Sequence, residues 1–286
     1  MAASVLFDAP GPKTRARHRL YAVVSGAVLA GLLGLLIWQL HRKGQFAYDL
    51  WEPFVTPKIM NVILEAALKT LQAAVFAIAG ALVFGVIFGV GKLSDHRAPR
   101  WFCWLVVEFF RAVPLLMVII ATWFVIGPEP GANAFQALVL GLILYNGAVF
   151  AEIFRAGINA VPKGQAEAAY AIGMGKSMVM RIILIPQAVK IMLPSLISQA
   201  IVALKDTSLG YAVLAPGLTY AVKEISLTFR NTIQTAFVVA LIYIVLNLLL
   251  SMLATWAQKR FAGEKTLTIE PVGGIVPTQP GGGSGL

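Results

Sequence analysis

The chain of 286 residues is 58% hydrophobic and only 13% charged, with a mean hydropathy of +0.79, whereas a soluble domain carries about 25% charged residues. This composition excludes an ordinary soluble protein and describes a polytopic membrane protein. The single cysteine, Cys103, excludes an internal disulfide and any multi-cysteine metal or iron–sulfur site. The net charge of +10 reads as loop asymmetry rather than nucleic-acid binding, because no basic patch is interleaved with exposed aromatics.

A helix needs about 20 apolar residues to cross the hydrocarbon core. In chain order the expected spans are Tyr21–Leu40, Ile59–Leu93, Trp101–Ile126, Phe135–Phe154, Ile183–Leu204 and Gln234–Trp256. The first follows a basic stretch but ends in Gln39, Leu40, His41 and Arg42, with no small-residue cleavage site, so it reads as an uncleaved anchor. The second is too long for one straight crossing, and part of it is expected along the interface or in water. The chain therefore divides into residues 1–58 (N-terminus, extra first helix and external connector), a five-helix core over 59–262, and a Gly- and Pro-rich disordered tail over 263–286.

Six spans put both termini on one side. Of the 23 Lys and Arg residues, fourteen fall on the side of the termini and six on the other. Lys69, Arg111 and Lys190 lie within spans. The bias predicts both termini in the cytoplasm of a bacterial cell membrane. Residues 161–186 then face the cytoplasm too.

That segment, between two apolar spans, carries Lys163, Gln165, Glu167, Lys176 and Arg181, too many polar groups for bulk lipid. Pro162 suits a first helical turn, good helix formers follow, and Gly173 and Gly175 allow a sharp turn before a second amphipathic piece. The string Gly173-Met174-Gly175-Lys176-Ser177 invites a phosphate-loop reading. A phosphate loop needs glycine where this chain has Tyr170, and no strand pattern precedes it, so nucleotide binding is not expected here.

The segment resembles the EAA loop of ABC importer permeases: Glu167-Ala168-Ala169, then Gly173, then Ile183, Ile185 and Pro186 at the family's spacing, with Ile185 in place of leucine. Glu108–Leu116, Ala151–Ala169, Ile185–Ser195 and Leu204–Leu209 resemble the branch for polar amino acids (the histidine, glutamine and glutamate type). With its extra first helix the chain looks most like the D subunit of actinobacterial glutamate importers. Where family members read Arg-Gly-Thr-Pro, this chain has Arg111-Ala112-Val113-Pro114.

The resemblance implies an all-α type I importer fold of six transmembrane helices with a cytoplasmic coupling helix. It implies a second permease subunit, identical or, as in the glutamate systems it resembles, a non-identical homologue, with two copies of an ABC ATPase and an extracytoplasmic amino acid-binding protein. The chain itself would hold no cofactor, with ATP and Mg on the ATPase. Gly164, Glu167, Ala168, Ala169, Gly173 and Pro186 would form the ATPase-coupling element. Closure of the ATPases would rock the spans between outward-open and inward-open states.

Ionisable groups within spans default to functional candidates. Glu65 and Lys69, Glu108 and Arg111, and Glu152 and Arg155 are spaced to share a helix face and neutralise one another. Glu152 and Arg155 read as a brace for the coupling helix. Arg111, followed by Pro114, is a pathway candidate. Lys205, Asp206, Thr207 and Ser208 end the fifth span and open a broken stretch, as expected for a gate or substrate cavity. Together they offer both charges and two hydroxyls to an amino acid's ammonium and carboxylate. The alternative function is an ion-coupled secondary amino acid carrier, but the repeated halves of such carriers are not visible.

Overall fold

The computed structural model describes residues 11–262. The expected tail, residues 263–286, lies outside them. Eleven helices follow one another: α1 (Pro12–Arg42), α2 (Tyr48–Trp51), α3 (Pro57–Lys92), α4 (Arg97–Ala112), α5 (Leu115–Ile126), α6 (Ala132–Asn159), α7 (Lys163–Ala171), α8 (Lys176–Met178), α9 (Ile185–Asp206), α10 (Leu218–Phe229) and α11 (Thr232–Ala262). A π-helical stretch, Val179–Leu184, joins α8 to α9, and a 3₁₀ stretch, Thr207–Val213, follows α9. Five helical segments are long and apolar enough to cross a membrane, and α4 with α5 makes a sixth if that bent pair is one span.

The central packing unit is α3 against α6. Every fourth residue over about half of α3 is small and buried: Ala73, Ala77, Ala81, Gly85 and Gly89. Such a stripe lets two backbones approach closely in a medium that gives helices no hydrophobic reason to associate. A side-chain carbon on Gly85 would lie 2.6 Å from Phe150 Cβ, and one on Gly89 would lie 2.8 Å from the Ala151 carbonyl. Phe84 in turn packs on Gly147 of α6. Residue numbers rise together along both helices, so α3 and α6 run parallel.

The other helices alternate against this pair. Gly141 of α6 meets Ile119 of α5, and Thr122 of α5 donates to the Ala137 carbonyl at 2.8 Å, so α5 is antiparallel to α6. Gly157 faces Met192 and Asn146 bonds Gln199, so α9 is antiparallel to α6 as well. The ends of α3 and α6 and the start of α9 therefore share one face of the bundle with the loop over 161–186.

One expectation needs correction. The third expected span, Trp101–Ile126, is not one straight helix: α4 and α5 meet at 106°. Val113 and Pro114 are both extended, with ψ near 132°, because a residue before proline is driven out of the helical region and proline withdraws a donor. Neither Ala112 nor Val113 has a positive φ, so the turn is made without glycine. The second expected span is an unbroken helix of 36 residues, roughly 54 Å long, longer than the hydrocarbon core as its sequence suggests.

Candidate functional site

The loop over 161–186 is a built element. α7 ends in a glycine cap: Gly173 has φ +84°, its N–H donates to the Tyr170 carbonyl at 2.9 Å, and the Met174 N–H reaches Ala169 at 3.1 Å. This pair of bonds satisfies the last carbonyls of the helix and explains why glycine stands four residues after Ala169. Ala169 is buried and seats α7, whereas Gly164, Glu167 and Ala168 are exposed. Beneath the loop, Ile158, Val161 and Ala188 form a small core with Leu93, Met180 and Leu184. Gln187 of α9 donates to Gln165 of α7 at 3.4 Å.

Pro186 follows the π-helical stretch. The wider winding and the missing proline donor together make the joint between loop and α9. Lys176 pairs with Asp95 in the α3–α4 loop, 81 residues away. That hydrogen bond holds the Asp95 carboxyl below its ordinary 3.8. The pair is complete above that value and is lost as pH falls through the depressed one. Replacing Gly173 by Val forces a β-branched residue into the left-handed region at roughly 1–2 kcal/mol. Amide exchange across 170–176 is expected to accelerate about tenfold, measured by hydrogen–deuterium exchange.

At the same end, five charges form one network. Lys92 is 9% exposed and donates to Glu152 at 2.8 Å and Glu108 at 3.3 Å. Arg111 donates to Glu108 at 2.9 Å, and Arg155 Nε to Glu152 at 2.9 Å. The Glu108–Arg111 and Glu152–Arg155 pairs thus form as their spacing suggests. Lys92, the last residue of α3, ties them together across α3, α4 and α6. Arg111 shares no hydrogen bond or ion pair with residues 205–208 among the described residues. Lys92→Met would leave Glu108 paired only with Arg111 and Glu152 only with Arg155, removing the group that joins the two pairs, and cost about 1 kcal/mol because each carboxylate keeps one cation and is partly exposed. Thermal unfolding of the detergent-solubilised chain measures this, and Lys92→Met/Glu152→Gln is expected to lose more, because it also takes the carboxylate from Arg155.

A second polar centre lies between α6 and α9. Gln199 donates to Asn146 at 2.7 Å, and Asn146 lies 3.5 Å from Asp206. Asn146 is fully buried, in the otherwise apolar middle of α6. Gln199 and Asp206 share a face of α9 two turns apart. Sequence reasoning singled out neither Asn146 nor Gln199. Both are amides within spans, where a polar side chain needs a partner, and that was the available signal.

The cluster 205–208 does not act as one group. Lys205 and Asp206 make no ion pair. Lys205 and Ser208 line a groove of about 550 Å³ between α9 and α11 with Tyr243 and Asn247. Thr207 is 4% exposed, donates to the Leu204 carbonyl at 2.7 Å and lies 3.4 Å from the Tyr243 hydroxyl, so it holds the helix end. The chain then turns through Leu214 at φ +57°, and the Leu218 N–H is captured by Thr70 at 2.9 Å.

Glu65 and Lys69 do not pair either. Lys69 donates to Gln72 at 3.3 Å, and all three line a cavity of about 590 Å³ against Tyr220 and Glu224 of α10. This open, two-signed vestibule lies near the end of the bundle away from the loop.

A bundle of bilayer-length helices, with a capped polar loop at one end and a polar centre within, is the architecture of a polytopic helical membrane protein. The chain belongs to the family described as binding-protein-dependent transport system inner membrane component, whose model matches residues 81–263. It is 41% identical over 247 residues to the glutamate transport system permease protein GluD of Corynebacterium glutamicum, covering 84% of this chain and 89% of that one. It is 34% identical over 202 residues to the probable glutamine ABC transporter permease protein GlnM of Bacillus subtilis, 70% and 93% of the two chains. A crystal structure of an amino acid ABC transporter with histidines superposes with a TM-score of 0.66 at 30% identity, over 71% of this chain and 95% of that one. The protein is thus a permease subunit of an amino acid ABC importer, with the all-helical type I fold.

Proposed function

We propose that this chain is one membrane half of an ATP-driven importer for glutamate, working by alternating access. The observation that carries the mechanism is the continuity of α9. Its first turn emerges from the proline joint of the loop, and its last residue is Asp206. Twenty-two helical residues, about 33 Å, thus connect a surface element to a polar centre within the bundle, with Pro194 removing one backbone donor midway without ending the helix. A push on the loop moves Gln199 and Asp206 relative to Asn146 on α6, opening or closing the polar centre.

In this reading Gly164, Glu167 and Ala168 face an ATPase subunit. Ala169 and Gly173 hold the coupling helix in shape, and Pro186 passes its displacement to α9. The ATP and Mg belong to that partner. Glu152 and Arg155 brace the start of the loop through Lys92, and Arg111 belongs with this brace rather than with the substrate. Asp206 receives the ammonium of the amino acid, while Lys205 and Ser208 lie on the neighbouring groove for its carboxylates. The loop faces the cytoplasm with both termini, which the excess of Lys and Arg on that side supports.

A second, non-identical permease subunit and an extracytoplasmic binding protein complete the assembly. The choice of glutamate rests on the GluD similarity and on the glutamate/aspartate import permease protein GltK of Escherichia coli O157:H7, 30% identical over 212 residues, 70% of this chain and 93% of that one. The test is uptake by the reconstituted complex. Radiolabelled glutamate should accumulate only with internal ATP, and a tenfold excess of unlabelled glutamate, unlike glutamine, should abolish it. Accumulation that needs an ion gradient and no ATP would sink the reading.

A further inference from the structure

α4 has properties that the permease role does not use. α5 packs antiparallel along α6 and so runs across the bilayer. α4 meets it at 106°, and therefore lies close to the membrane plane at the loop end of the bundle. Its outer face carries Trp101, Phe102, Trp104, Leu105 and Phe109, each between 44% and 63% exposed. Its start carries Arg97 and Arg100, also exposed. This is the pattern of a helix lying in the interface, aromatic groups in the acyl boundary and cations at the headgroups.

Beside it is a cavity of about 620 Å³, lined by Lys92, Arg97, Arg100, Arg155, Trp101 and Trp104 together with the two carboxylates of the ion network. Glu108 and Glu152 are occupied by Lys92, Arg111 and Arg155. Arg97 and Arg100 have no carboxylate within 4 Å among the described residues. The cavity thus presents two guanidinium groups with no bonded carboxylate beside two indole rings, Arg100 acting only at longer range on Asp95, which Lys176 already holds.

We infer that this cavity binds the headgroup phosphate of an anionic glycerophospholipid from the leaflet on the loop side. Arg97 and Arg100 take the phosphate oxygens, in the fork geometry that guanidinium offers. The acyl chains lie along Trp101, Trp104 and Leu105, continuous with the apolar outer surface of the bundle. A free anion would make no use of that aromatic wall. Because Arg155 and Lys92 line the same cavity, the lipid abuts the network from which α6 leads into the loop.

The site depends on the membrane placement of α4 and not on the substrate or on the ATPase. The experiment uses the full chain, purified in detergent and titrated with phosphatidylglycerol or phosphatidylcholine, with bound lipid read by native mass spectrometry. Phosphatidylglycerol should be retained in preference to phosphatidylcholine. Arg97→Gln/Arg100→Gln should weaken its binding roughly thirtyfold, the effect of two cations at an anionic surface. Both arginines are exposed and unpaired, so the variant should fold normally. Arg15→Gln/Arg17→Gln, the same charge change on α1, should leave binding intact.

Three results would overturn the inference. These are equal loss in the α1 variant, displacement of the lipid by inorganic phosphate, and displacement by an added ATPase subunit, which would mark the face as a protein contact. None of them bears on glutamate uptake, so the site and the transport reading fail separately.

Discussion

Glu167→Lys is expected to abolish uptake while the chain still inserts and folds. Glu167 is exposed on α7 and has no cation within 4 Å among the described residues, so its loss leaves no buried charge within this chain. If the exposed face of α7 is an interface with the ATPase, reversing the charge removes one pairing and adds a repulsion. Such a change at a close interface pair costs about 3 kcal/mol, roughly a hundredfold in association. The expected readouts are loss of ATPase copurification and of ATP-dependent uptake, with unchanged thermal unfolding of the chain alone. Glu167→Gln should lie between the two. Normal uptake by the lysine variant would remove Glu167 from the coupling surface.

The second large effect is expected at Asp206. Its carboxylate is the only charged member of the centre with Asn146 and Gln199. A charge-assisted bond to a substrate ammonium contributes about 1.5–3 kcal/mol, so Asp206→Ala should lower uptake roughly 10- to 100-fold with the complex assembled. Asp206→Asn separates charge from shape. It can keep the contact to Asn146 but cannot neutralise the substrate. If asparagine restored uptake, Asp206 would only be holding α9 against α6. Equal failure of both variants, with ATPase still copurifying, is the result the account predicts.

These two residues also show what was legible in the sequence. Glu167 could be placed because its environment is local. The helix, the glycine cap and the return proline all lie within twenty residues, and each has a spacing that physical chemistry requires. The same holds for the Glu108–Arg111 and Glu152–Arg155 pairs, which share helix faces. Lys92 could not be placed in this way, because its partners are 16 and 60 residues away and depend on how α3, α4 and α6 pack. Asn146 and Gln199 were missed for the same reason.

Glu65 and Lys69 show the opposite failure. Four-residue spacing permits an ion pair, but the cavity against α10 gives each side chain somewhere else to point. The turn at Val113–Pro114 was half legible. Proline announced a break, but its angle is set by two extended residues and by the contacts of α5 and α4 on α6. The stripe Ala73, Ala77, Ala81, Gly85, Gly89 was present in the sequence as a four-residue period of small side chains, hidden by the uniform hydropathy of the helix around it. Hydropathy finds a span; side-chain size says what packs on it.

The most direct test of the coupling mechanism is a photo-crosslinking residue at position 168, on the exposed face of α7, in the assembled transporter. The account predicts a covalent adduct with the ATP-hydrolysing subunit, in a yield that changes between nucleotide-free and ATP-bound states. Adducts formed only with the extracytoplasmic binding protein, or none with the ATPase in any state, would contradict it.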